Sequence, residues 1–97
     1  MDPVQFSRIA KALSDPRRFE LLEMIAAADE VACKRMVEVF PVSQATISHH
    51  LKELATAGLI EARREGQCGH YRARPAVMTA YLAELERRLR LAAPAAT

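Results

Sequence analysis

Apolar residues recur at helical spacing from the start of the chain. Phe6, Ile9, Ala10 and Leu13 form one stripe and predict an amphipathic helix over Pro3–Leu13. Ser14-Asp15-Pro16 ends that helix and begins another, since Asp15 can cap and proline suits the first helical position, where its missing amide is no loss. The second helix, over residues 16–27, puts Phe19, Leu22, Ile25 and Ala26 on one face with Leu21 beside them. Its Arg17 and Arg18 read as solvated, with a phosphate contact the alternative for Arg17. Asp29 and Glu30 open a third helix over 31–40, their charge matched to the positive end of its dipole, with Met36, Val37 and Phe40 apolar. Pro41 stops it, because proline cannot continue the hydrogen-bond ladder.

The stretch 41–58, PVSQATISHHLKELATAG, organises the rest. Ser43 is placed to cap a fourth helix, Ile47, Leu51 and Leu54 give its buried stripe, and Gly58 follows its last turn, where a left-handed residue is usual. Its other face carries Gln44, Thr46, Ser48, His49 and Lys52. A solvated face would more often carry Glu and Lys pairs, whereas amides, hydroxyls and imidazole read base edges and a lysine takes a phosphate. His50 borders the buried stripe and reads as a packed histidine, and His49 points outward. Two short helices joined by a tight turn, with polar groups on the second, form a helix-turn-helix pattern.

After Gly58 the period changes from helical to alternating. Residues 59–64 read as a strand, 65–69 as a turn using Gly66 and Gly69 at positive backbone angles, and 70–74 as the returning strand. The hairpin is a wing, held to the helices by Leu59, Ile60 and Tyr71. Pro75 starts a last helix with Met78, Leu82, Leu85 and Leu89 in one stripe and Tyr81 and Ala92 along its edge. That is more apolar surface than a small core can cover, so with Phe6 and Ile9 it predicts a helix–helix homodimer seam. The expected fold is mainly α with a small β-hairpin: a winged helix-turn-helix of about five helices and a two-stranded wing, one domain over 1–97. The tail from Pro94 reads as frayed.

Composition sharpens the functional reading. The chain has 97 residues, 51% hydrophobic and 27% charged, with a net charge of only +2. Residues 63–74 nevertheless hold Arg63, Arg64, Arg72 and Arg74 against a single Glu65, a local basic patch suited to a polyanion on one side. No apolar run reaches the length of a membrane span and the first residues are no signal segment, which gives a cytoplasmic expectation. No glycine-rich phosphate loop or oriented nucleophile–base pair is present, so no enzyme and no cofactor are expected. The expected partner is double-stranded operator DNA: Gln44, Thr46, Ser48 and His49 against bases, and Ser43, Lys52, Arg63, Arg64 and Arg72 against phosphates. The alternative is a winged-helix protein–protein module without specific DNA binding.

The motifs Ala12-Leu13-Ser14-Asp15-Pro16-Arg17-Arg18, Val42-Ser43-Gln44-Ala45-Thr46-Ile47-Ser48-His49-His50-Leu51-Lys52-Glu53-Leu54, Ala57-Gly58-Leu59-Ile60 and Arg64-Glu65-Gly66 with Tyr71-Arg72 resemble the ArsR/SmtB family of bacterial winged helix-turn-helix repressors. The resemblance implies a homodimer built on the first and last helices, recognition helices in successive major grooves, and an effector, here unknown, that weakens DNA binding. It also implies where metals are sensed, and there this chain departs. The two ligand positions of the usual Cys-x-Cys pair hold Ala32 and Lys34, with Cys33 between them, and the last helix has no histidine and only Glu84 and Glu86. One thiolate cannot hold tetrahedral zinc or trigonal arsenite without further ligands, so no metal site is expected. Cys33 reads as a small half-buried apolar residue near the dimer helices and Cys68 as an exposed residue near the wing tip, too far apart for a disulfide within one subunit. Thiol sensing through Cys68, and less so Cys33, is the functional alternative.

Overall fold

The structure, a computed structural model, describes residues 1–65 and 68–91, with Arg64, Glu65 and Cys68 described by backbone alone. Gly66 of the expected turn, Ala92 and the tail from Pro94 lie outside the described residues. The element order is α1 (Pro3–Leu13), α2 (Pro16–Ala26), β1 (Val31–Ala32), α3 (Cys33–Val39), α4 (Gln44–Thr56), β2 (Ile60–Glu65), β3 (Cys68–Ala73) and α5 (Pro75–Leu89).

The first two helices start as their sequences dictate. Asp2 accepts the amide of Val4 and Asp15 that of Arg18, each ahead of a proline in the first turn. On α2 the buried residues are Leu21, Leu22 and Ile25, while Phe19 is 42% exposed and Ala26 is exposed, so the expected face is rotated toward Leu21. A stripe drawn through Phe19 misses this because Leu21 and Leu22 are adjacent and the larger ring looks like the better core residue.

The third helix differs more. Val31 and Ala32 form a short strand, pairing antiparallel with Tyr71 and His70, and α3 begins only at Cys33 with no side-chain cap. Asp29 and Glu30 therefore open no helix. The sheet has three strands in the order β1-β3-β2, so the wing is more than the expected two-stranded ribbon. The third strand gives the hairpin the extra partner that an isolated pair lacks.

β2 and β3 pair antiparallel from Ile60 opposite Ala73 to Glu65 opposite Cys68. Strand alternation places Ile60, Tyr71 and Ala73 toward the core and Glu61, Arg63, His70 and Arg72 on the other face. Gly69 lies inside β3 opposite Arg64 and carries no positive φ, contrary to its expected turn role. A Cβ there would meet the Tyr71 hydroxyl at 2.8 Å, so what the position needs is space for the ring. Among described glycines the positive φ belongs to Gly58, at 86°. It ends α4 in a Schellman arrangement, with Gly58 N bonded to Ala55 O and Leu59 N to Leu54 O, both at 3.0 Å.

The core joins Ile9 and Ala12 of α1, the α2 leucines and Ile25, Met36, the α4 stripe, Leu59, Ile60 and Tyr81. Ile9 is 0% exposed within the single chain, which corrects its assignment to a dimer seam: it has no surface left to offer a second chain. Phe6 is half-buried and packs at 5.0 Å from Tyr81, with the Arg88 guanidinium 4.0 Å above its ring. On α5, Met78 and Leu85 are half-buried against this chain's own core, whereas Leu82 is 50% and Leu89 61% exposed.

Candidate nucleic-acid interface

α4 is held rigidly on its inner side. Ile47, Leu51 and Leu54 sink into the core, and His50 beside them is buried. Arg18 of α2 donates its Nε–H to His50 Nδ1 at 3.4 Å. Burial is the main cause that pushes the His50 pKa below its ordinary value, with Arg18 nearby adding to it and Asp15 opposing. A neutral ring with Nδ1 as acceptor fits both observations.

Ser43 begins the helix. Its hydroxyl oxygen accepts the Thr46 amide at 3.1 Å, and its own proton goes to Thr46 Oγ1 at 3.0 Å. The Ser43 hydroxyl is thus committed to the cap, which stands against its expected role as a phosphate donor. In accepting from Ser43, Thr46 is left with its own hydroxyl proton to give, so the cap orients a donor at the exposed start of the helix.

Gln44, Ser48 and Lys52 recur at i, i+4 and i+8 along the outer face, with His49 beside them, and all are exposed. Among the described residues their side chains make no hydrogen bond within the chain, and the His49 ring stands 6.0 Å from that of His50. This is the part of the sequence-predicted site that the structure brings together: amide, hydroxyls, imidazole and ammonium on one open helix face.

The wing arginines behave differently. Arg63 makes a two-point contact with Glu30, Nε to Oε1 at 3.1 Å and Nη2 to Oε2 at 2.8 Å. Arg72 pairs with Glu61 directly across the hairpin. The Arg63 hydrogen bond is the main cause that lowers the Glu30 carboxyl pKa, and His70 Nδ1 lies 3.9 Å from Glu30 Oε2. A charge count confined to residues 63–74 misses both acids. Glu61 falls just outside it, and Glu30 is brought in by β1, a strand the sequence pattern does not announce. Arg64 stands opposite Gly69 in the ladder, and its side chain lies outside the described residues.

Cys33 is half-buried as expected, but its surroundings differ from the expected dimer helices. It follows directly on β1, whose Ala32 faces His70, two residues from Cys68 on β3. The start of α3 is therefore beside the wing sheet. Glu84 of α5, one of the acids weighed as a metal ligand, is buried and bound by Arg87 and Arg88 at 2.6 and 2.8 Å. Those hydrogen bonds, that of Arg87 first, hold its pKa down to about 2. Among the described residues no three His, Cys, Asp or Glu side chains cluster as a metal site.

Residues 13–63, which span α2 through α4 into β2, match the model of a helix-turn-helix domain family. The chain belongs to the ArsR/SmtB family of winged helix-turn-helix regulators. It is 40% identical over 62 residues to an arsenical resistance operon repressor of Staphylococcus xylosus, covering 64% of this chain and 59% of that protein's length. An ArsR-like transcriptional regulator from Rhodococcus sp. RHA1 superposes with a TM-score of 0.78 at 31% identity, over 87% of this chain and 78% of that one. The homodimeric winged helix-turn-helix DNA-binding domain of a possible ArsR-family regulator from Mycobacterium bovis gives 0.70 at 31% identity, over 91% and 82%. In this ArsR/SmtB chain the matched segment holds the Glu30–Arg63 clamp, and the Arg-bound Glu84 lies beyond it on α5. No helix among the described residues is long and apolar enough to cross a membrane.

Proposed function

We propose that this chain is a dimeric, sequence-specific DNA-binding transcriptional regulator, a repressor released from its operator by an effector. The observation that carries the reading is the outer face of α4, where Gln44, Ser48, His49 and Lys52 stand exposed on a helix fixed from behind by core packing and the Arg18–His50 bond. Donors and acceptors left without internal partners on a rigid helix suit base edges in a major groove. Gln44, Thr46 and His49 take the bases, and Lys52 and Arg64 take phosphates.

Arg63 and Arg72 reach phosphates by exchange. Their acid partners are surface groups whose ion pairs are weak, so a DNA phosphate replaces the carboxylate more readily at Arg72 than at Arg63, which must leave a two-point contact. The repressor relatives and the homodimeric neighbour support the regulatory and dimeric parts of the reading.

The test is selection from a randomised duplex library followed by a salt titration on the selected site and on random duplex. A selected motif with two-fold symmetry and a steep log–log salt slope is expected. Recovery of no motif, with a slope near zero on both duplexes, overturns the reading in favour of a protein-interaction module.

A further inference from the structure

One flank of the recognition helix is not exposed to solvent alone. Thr46, His50, Glu53 and Ala57 recur at i, i+4, i+7 and i+11 and form a single line along α4. The α1–α2 segment runs beside this line. Gln5 Nε2 donates to Ala57 O at 3.2 Å, Arg8 and Lys11 line a small cleft with Glu53 and Thr56, and Arg18 bonds His50. Arg17 continues the series, its guanidinium 5.5 Å from the ring centre of Phe40 in the turn ahead of Ser43. Chain order on α1 and α2 thus runs from the C-terminal end of the recognition helix toward its N-terminal end, where base contacts concentrate.

We propose that Lys11 and Arg17, at the corner where α1 passes into α2, bind DNA backbone phosphates beside the recognition helix, on the flank marked by Thr46, His50 and Glu53. The inference rests on the DNA-binding reading and adds a second basic edge to the one assigned to the wing.

Electrostatics favours this edge over the wing. Lys11 is exposed and makes no ion pair among the described residues. Arg17 pairs with Glu20 at 3.3 Å, but both side chains are at least a third exposed, and such a pair is readily given up to a phosphate. Asp15, the acid within the corner, spends its carboxylate on the Arg18 amide as a helix cap. Arg63, by contrast, must leave a two-point contact. Glu53 is the acid left facing this edge, and it opposes a phosphate there.

A lysine in the last turn of α1 also favours that helix's negative end, so stability is not the readout. The experiment compares the full chain with Lys11→Gln, Arg17→Gln and Glu53→Gln on the selected duplex and on random duplex across a salt titration. Each cation removed should weaken both duplexes alike and flatten the log–log slope by about 0.9 for each phosphate it neutralises, hence about 1.8 when both protomers of a dimer carry the change. Glu53→Gln should tighten both. Slopes unchanged in Lys11→Gln and Arg17→Gln, with sedimentation and thermal melting as in the parent, overturn the proposal while leaving the parent's DNA binding intact. A parent protein with no salt-dependent binding overturns the functional reading itself.

Discussion

At the scale of single residues, the side chains that matter most are those whose partners come from far along the chain. His50 is legible from sequence as a packed histidine, because it sits three residues after Ile47 and four before Leu54. Its partner Arg18 is not legible, since no local pattern joins residues 32 apart. The same holds for Glu30 and Arg63, and it explains why a local count makes the wing look more basic than it is. The His50 bond has a pH signature. Its folded pKa lies below the ordinary 6.5, so the unfolded chain binds the proton more readily in the window beneath that value. The His50 contribution is therefore complete above about pH 6.5 and is lost as pH falls toward the lower folded pKa. Urea denaturation followed from neutral to mildly acidic pH should show stability declining in that window. His50→Asn, which keeps an acceptor near the Nδ1 position but cannot titrate, should flatten the decline. An unchanged profile in the variant would assign it to other groups. Glu84 acts in a separate range, since its folded pKa of about 2 makes its contribution complete above the ordinary 4.5 and lost only below it.

At the scale of elements, periodicity and caps locate the helices well wherever a cap and a stripe agree. α1 spans Pro3–Leu13 as its apolar stripe suggests, and α4 begins and ends as Ser43 and Gly58 suggest. β1 is hidden because two residues are too few for a strand pattern, and because Asp29-Glu30 imitates a helix start. The proposed function divides base and phosphate contacts between α4 and the wing, and this yields a prediction. Gln44→Ala should relax preference at one base position by about 1–3 kcal/mol and leave random-duplex binding nearly unchanged. Arg64→Ala should weaken all sequences together and reduce the salt slope by about 0.9 for each phosphate the arginine neutralises. Affinities over a randomised operator library separate the two patterns. If both variants shift every sequence equally, the assignment of bases to α4 and phosphates to the wing is wrong. Ser43→Ala belongs to neither class. It removes a cap worth about 1 kcal/mol and frees the Thr46 hydroxyl from its orienting partner, so it should lower stability and blur the same specificity.

At the scale of the whole molecule, the fold class is readable because each long helix carries its own start signal, whereas the seam is only partly readable. A stripe shows that a face is apolar without saying which copy of the chain buries it, and Ile9 is the example. Among the residues expected in the seam, Leu82 and Leu89, seven residues apart on α5, are the ones left exposed for a second copy to cover. Leu82→Glu should therefore yield a folded monomer in equilibrium sedimentation at micromolar concentration, because each buried unpaired carboxylate costs several kcal/mol in an apolar seam. A parent monomer, or a dimeric variant, would contradict this. Sensing is also a property of the assembly, and the expected outcome is negative. Ala32 and Lys34 offer no thiolates beside Cys33, and Glu84 on α5 is held by two guanidiniums that a cation would have to displace. A soft metal prefers thiolates and an intermediate one imidazole, neither of which α5 supplies. Operator affinity should thus be unmoved by Zn²⁺ or arsenite, while peroxide tests the thiols separately. Cys68→Ser should abolish any oxidant response more completely than Cys33→Ser, because oxidation at β3 places a polar group on the wing itself. An arsenite or zinc response that needs Cys33 and survives loss of Cys68 would mean that the missing ligands come from the partner subunit.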